Sequence, residues 1–162
     1  MNEKNVGELK TNRWLFVLYI GFFAGLIWGA MKIIEHYFKF TNIVVGFLVE
    51  PFFKHDFLLT WQGVLVGWGF FTVFSIIAAF IYMVTMWKLQ SAWWGIGYGA
   101  LWWAAIYLLI GPLAGMTYWI TDLDLNSILT DLCLFLVWGM FIGYSIAIEY
   151  TDTRTRQPIH KT

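Results

Sequence analysis

Four runs of apolar residues divide the chain, each reaching the roughly 20 residues needed to cross a hydrocarbon layer as a helix. They extend over about 14–36, 58–87, 92–120 and 128–148. Strict alternation of apolar and polar positions is absent, so barrel strands are excluded and each run reads as a helix that satisfies its own backbone. The second and third runs exceed what a bilayer needs and should tilt, kink or protrude. Between the first two, Phe40, Ile43, Val44, Phe47 and Leu48 recur at helical spacing until Pro51 breaks the pattern. That segment is too short to span and is predicted as a short interfacial helix on the outer surface. A re-entrant segment is the weaker alternative, because nothing evident would satisfy its broken backbone. The pattern predicts an all-α, polytopic membrane bundle of four transmembrane helices. It is one membrane domain over 1–162 with short polar tails at 1–12 and 151–162.

Composition agrees with this class. Apolar residues make up 60%, aromatic residues 21% and charged residues only 12%, far from the soluble average. Almost the whole length is used by spans, which leaves no room for a soluble catalytic domain. Charges cancel and sit in short connectors without a basic stripe, so nucleic-acid binding is excluded. Lys4, Lys10 and Arg13 precede the first run, and no small-residue cleavage site follows, so it reads as an uncleaved span.

The basic residues also orient the chain. Lys4, Lys10 and Arg13 in the first tail, Lys88 in the tight second connector, and Arg154, Arg156 and Lys161 in the last tail mark one side. Lys32, Lys39 and Lys54 lie on the other, and the third connector has no basic residue. Both termini are therefore expected in the cytoplasm of a cell whose cytoplasmic membrane holds the protein. Trp14, Trp87, Trp93, Trp94 and Tyr150 would form the inner aromatic belt, and Tyr37, Trp61 and Trp119 the outer one.

Glycines four residues apart recur in all four runs. The sets are Gly21, Gly25 and Gly29; Gly63 and Gly67; Gly95 and Gly99 with Gly111 and Gly115; and Gly139 and Gly143, extended by Ala147. Small residues at this spacing let helix backbones approach closely in lipid, where no hydrophobic force drives association. Six such pairs stand against roughly two expected by chance at this glycine density, a surplus that suggests a homo-oligomer or another membrane protein as partner, besides lipid. Trp102, Trp103 and Trp138 read as lipid-facing bulk.

A resemblance to a known family rests on several of these stretches: KTNRW leading into GFFAGLIWG, then HYFKFTN, EPF in the first connector, and TDLDLNSILTD running into FIGYSIAIEY. On them the chain resembles the YqhR family of membrane proteins of Bacillus-like bacteria. The resemblance implies a four-span protein of a Gram-positive cytoplasmic membrane and carries over no catalytic or binding residue.

Helical geometry yields one candidate site. At roughly 100° per residue, Lys32 and His36 lie within about 20° of Gly25 and extend its face to the outer boundary, while Asp131 lies about 80° from Gly139. If the small faces of the first and fourth helices pack together, Lys32 and Asp131 meet at one level, with Glu35, His36, Asp122 and Asp124 nearby. The alternative is that Lys32 snorkels to water and Asp131 complements a helix dipole. Glu35, His36, Glu50, His55, Asp56, Asp122 and Asp124 include metal-ligand types but no metal spacing, so no metal or cofactor is expected, and Asp124 or Asn126 should cap the fourth helix. Cys133 reads as a buried, inert thiol. No nucleophile and base can be assembled from neighbouring positions, so no enzyme is expected. The expected role is a scaffold, assembly factor or accessory subunit acting through helix–helix association. A small transporter or channel is the rival reading, because Gly111, Pro112 and Gly115 interrupt the third span, and a membrane enzyme or metal sensor using the outer His and carboxylate cluster is the second. The mid-span polar groups Thr72, Ser75, Tyr98, Tyr107 and Ser145 read as hydrogen-bonding partners between helices or to backbone.

Overall fold

Asn12 accepts a hydrogen bond from the Trp14 backbone N–H and starts α1, Arg13–Tyr37. A left-handed Lys39 at φ 60° stops it, with Lys39 N–H donating to His36 O and Phe40 N–H to Glu35 O, the paired bonds of a Schellman turn. The computed structural model describes residues 12–86, 91–117 and 119–155. Trp87, Lys88, the tail cations Lys4, Lys10, Arg156 and Lys161, and the side chains of Tyr150 and Arg154 lie outside this description. After α1 come a five-residue 3-10 turn at Val45–Val49, the short α2 at His55–Leu58, and α3 at Trp61–Met86. The chain returns through α4, Ala92–Ala104, a π-helical turn at Ala105–Ile110, and α5, Gly111–Ala114. The last helix, α6, is Leu125–Thr155. The protein is all-helical among the described residues, and four helical stretches are long and apolar enough to cross a membrane: Arg13–Tyr37, Trp61–Met86, Trp93–Ala114 and Leu125–Glu149.

The third stretch ends by local chemistry. Pro112 has no N–H to return to the preceding turn, which widens so that Gly111 N–H reaches Ile106 O, five residues back. Gly115, at φ 72°, then closes the helix in the left-handed conformation that glycine adopts without strain. Gly111 and Gly115, expected to pack helices, instead shape this ending. A Cβ on Gly111 would lie 2.5 Å from the Thr117 hydroxyl oxygen, whereas one on Gly115 would meet open space.

Glycine contacts build two antiparallel helix pairs. Along α1, Gly21 seats on Ile76 and Ala79 of α3, Gly25 on Thr72, and Gly29 on Trp68. Between α4 and α6, Gly95 and Gly99 interleave with Gly139 and Gly143; a Cβ on Gly99 would lie 2.1 Å from the Phe135 carbonyl oxygen. The glycine faces of α1 and α6 therefore do not pack on one another, as expected from sequence, but each on its own hairpin partner. Gly63 seats on Phe57 and Leu58, and Gly67 on Gly46 of the first connector. These close contacts all join helices of one chain.

The two hairpins meet across an aromatic core. Trp138 is fully buried, stacks on Phe74 at 5.6 Å between centroids, and donates its indole N–H to Ser75 Oγ at 3.1 Å. Tyr98 donates to the Ala78 carbonyl at 2.7 Å. Trp138 is thus core and not lipid-facing, and Trp102 and Trp103 are partly buried against the same cluster. Cys133, expected buried, is exposed, on the side of α6 away from this core. Trp14, Trp93, Tyr37, Trp61 and Trp119 are exposed, as interfacial anchors should be.

The first connector departs most from its sequence reading. In place of a helix on the surface, the 3-10 turn folds into the bundle, with Ile43, Val44, Val45, Phe47 and Val49 buried. Gly46 makes this possible: a Cβ on the facing Gly67 would lie 2.4 Å from Gly46 Cα, so the two backbones touch where neither has a side chain. The backbone groups that insertion removes from water have partners. Asn42 N–H donates to Ser127 Oγ at 2.8 Å, Ile43 N–H to Thr41 Oγ1 at 3.2 Å, and Phe47 N–H to Val44 O at 3.2 Å.

Gly97 and Gly69 face open space: beyond the helix's own adjacent turns, a Cβ added at either would meet no heavy atom within 4 Å. Gly97→Ala is therefore expected to leave stability unchanged or raise it by up to about 1 kcal/mol through helix propensity, as read by thermal unfolding in detergent.

Candidate functional site: a buried ion pair at the connector end

Lys32 sits just over one turn before the end of α1, and Asp131 just under two turns into α6. α1 crosses α6 at this level, bringing together the two ends that the long connectors join. The Lys32 ammonium pairs with Asp131 Oδ1, and both side chains are completely shielded from solvent. The pair links the α1–α3 hairpin to the α4–α6 hairpin. Lys32 and Asp131 therefore meet as the sequence suggests, although by a different packing route.

Three more side chains complete the enclosure. Tyr107 donates its hydroxyl to Asp131 Oδ2 at 2.7 Å, and Thr41 Oγ1 lies 3.4 Å from the same oxygen. Phe47 stacks on the Tyr107 ring at 6.1 Å between centroids and places its own ring 5.5 Å from Lys32 Nζ, within cation–π range. Each donor has a local cause. The π-helical turn carries Tyr107, and the inserted connector brings Thr41 and Phe47. An ion pair out of water needs further partners for its charges: Tyr107 and Thr41 serve the second Asp131 oxygen, and the Phe47 ring stands beside the ammonium. Tyr107→Phe should lower stability by about 1.5–3 kcal/mol, the range for losing a hydrogen bond to a charged group, as measured by chemical unfolding in micelles.

Of the other predicted site residues, Glu35 and His36 join the edge of this network. Glu35 is half-buried one turn beyond Lys32. His36 Nδ1 lies 3.2 Å from the Thr41 carbonyl; that oxygen can only accept, so Nδ1 carries the hydrogen. His36 is also the polar residue of a narrow apolar cleft whose walls include Ile33, Val44, Val45, Leu58 and Val64. Asp124 forms a separate cap. It accepts from the Ser127 backbone N–H at 3.1 Å, from the Ser127 hydroxyl at 2.8 Å and from the Asn42 amide at 2.9 Å. The Ser127 hydroxyl, then its N–H, and the Asn42 amide hold this carboxyl below the usual carboxylate range. Its contribution to the helix start is thus present at neutral pH and fades in acid. Asp122 lies in an exposed turn away from the network. His55 pairs with Glu50 at 2.5 Å on the surface. Among the described residues, no three His, Cys, Asp or Glu side chains converge as metal ligands.

Thr41, Asn42 and Ser127 are site residues that sequence reasoning missed. Ser127 and Asp131 stand four apart and so share a helix face, and Asp124 stands three before Ser127, a capping spacing. Those spacings were the available signal; nothing local tied Thr41 to them.

The family model for "Conserved membrane protein YqhR" matches residues 2–161. The chain belongs to the YqhR family. It is 29% identical over 137 residues to "Uncharacterized protein YqhR" of Bacillus subtilis (strain 168), which covers 85% of this chain and 77% of that protein. No solved structure matches. Within this YqhR-family chain, the stretches HYFKFTN and TDLDLNSILTD, which carried the resemblance, supply His36, Thr41, Asn42, Asp124, Ser127 and Asp131.

Proposed function

We propose that this protein is a non-catalytic scaffold or accessory subunit of the cytoplasmic membrane, multi-pass, with both termini in the cytoplasm. The observation that carries this reading is the backbone-to-backbone seating within each hairpin, where an added Cβ at Gly25, Gly99 or Gly139 would fall within 2.6 Å of a neighbouring backbone atom. Helices seated this closely form a fixed platform. The basic residues of the tails support the orientation, and the exposed apolar flanks of the spans meet lipid and the partner membrane protein.

A small transporter is the second reading. It is favoured by the Lys32–Asp131 pair, which bridges the two hairpins and could latch one against the other. Native mass spectrometry of the tagged protein, gently extracted from its own membrane, separates the two. The scaffold reading expects a complex of defined stoichiometry with another membrane protein, whose level falls when this chain is deleted. A lone chain that supports substrate flux in liposomes, abolished by Lys32→Met, would replace it with the transporter.

A further inference from the structure

Glu35 stands three residues after Lys32 on α1, on the same face. Its Oε2 atom is shut off from solvent and has no hydrogen-bond partner among the described residues. Lys32, Asp131 and Tyr107 all lie within electrostatic reach of it. The charges around it are unequal. One ammonium, Lys32, stands near two carboxyl groups, Asp131 and Glu35. Asp131 has donors on both oxygens: the ammonium on Oδ1, and Tyr107 and Thr41 on Oδ2. Those donors give both oxygens of its carboxyl group a hydrogen-bond partner. An ionised Glu35 would add a second negative charge with one oxygen deprived of both water and donor, which a low-dielectric surrounding penalises.

We propose that the connector end of the bundle is a proton-binding site, in which Glu35 holds one exchangeable proton while Lys32 and Asp131 remain charged. On release, the Glu35 O–H bond breaks, its electron pair stays on the carboxylate, and the proton passes to water at the connector end. Lys32 then stands between two carboxylates. Uptake reverses the step and restores a cluster of zero net charge. Around Glu35, Lys32 and the adjacent His36 come from α1, Asp131 from α6 and Tyr107 from the π-helical turn, while the Phe40 N–H of the connector donates to the Glu35 backbone carbonyl. Tyr82, the titratable side chain of α3, lies near the opposite end of that helix. Glu50 and His55 pair with each other on the surface. This inference is independent of the scaffold reading.

Infrared spectroscopy of the full-length protein in lipid, titrated between about pH 5 and about pH 9, reads the site through the C=O stretch of a protonated carboxyl. Glu35→Gln assigns the band, because a signal from any other carboxyl group would survive that substitution. The wild type is expected to show this band at neutral pH. Glu35→Gln should abolish it, and so should Asp131→Asn, because Lys32 then takes Glu35 as its counter-ion. Helix content measured on the same samples confirms that the variants are folded. Absence of the band from the wild type at neutral pH, or its survival in Glu35→Gln, would overturn the proposal.

Discussion

Lys32→Met is expected to destabilise the folded bundle by about 3–5 kcal/mol, the range for leaving one partner of a buried ion pair without the other. Methionine roughly keeps the length of the apolar stem, so the loss reports charge more than volume. Asp131, fully shielded, would retain the Tyr107 and Thr41 donors but no cation. Asp131→Asn should cost less, because Glu35, one turn further along α1, can take over as counter-ion to the lysine ammonium. Unfolding in mixed micelles, followed by tryptophan fluorescence, measures both. Trp138 and Trp102 lie in the core where the hairpins meet, so loosening that contact changes their surroundings. If Lys32 only snorkelled to water, Lys32→Met would cost a few tenths of a kcal/mol at most.

Gly99→Val should have the second large effect. A Cβ at position 99 would fall 2.1 Å from the Phe135 carbonyl oxygen and 2.9 Å from the carbonyl carbon. Both are backbone atoms of α6, so no side-chain rotation relieves the clash and α4 must lift away from its partner. Overpacking a core costs about 1–3 kcal/mol even where side chains can yield; here the loss should reach or exceed that range. Gly97 lies two residues away on the same helix and faces open space. Gly97→Val therefore serves as a matched control for β-branching and helix propensity, with an expected cost under about 1 kcal/mol. Comparable losses in both variants would show that α4 and α6 are not seated as described.

These two sites show how far the fold was readable from residues alone. Span number and helical class follow from the apolar runs, because a backbone in lipid has few alternatives. The glycine spacing marked Gly25 and Gly99 as contact points, since close approach is a local property of one helix face. It could not say which helix each face meets, because small faces are interchangeable in sequence, and α1 chose α3 over α6. Gly111 and Gly115 have the same spacing yet form a helix ending, where Pro112 alters the hydrogen-bond register. The connector was misread for a related reason. Apolar residues three and four apart fit an amphipathic surface helix, and they fit equally well an inserted turn buried on several sides. Gly46 against Gly67, with Ser127 and Thr41 serving the backbone, decides between these, and all of those partners except Thr41 are remote in sequence. Lys32 and Asp131 were legible as a candidate pair from their level and helix faces, with snorkelling of Lys32 as the alternative, and the complete enclosure of both side chains decides for the pair. Tyr107 was visible as a hydrogen-bonding group, but its aim at Asp131 depends on the π-helical turn.

The most direct test of the central claim, that Lys32 and Asp131 join the two hairpins, is a double-mutant cycle on unfolding free energy with Lys32→Met, Asp131→Asn and the combined variant. The account predicts that the combined variant is more stable than the less stable single variant, with a coupling of about 1–3 kcal/mol. Losses that simply add would contradict it.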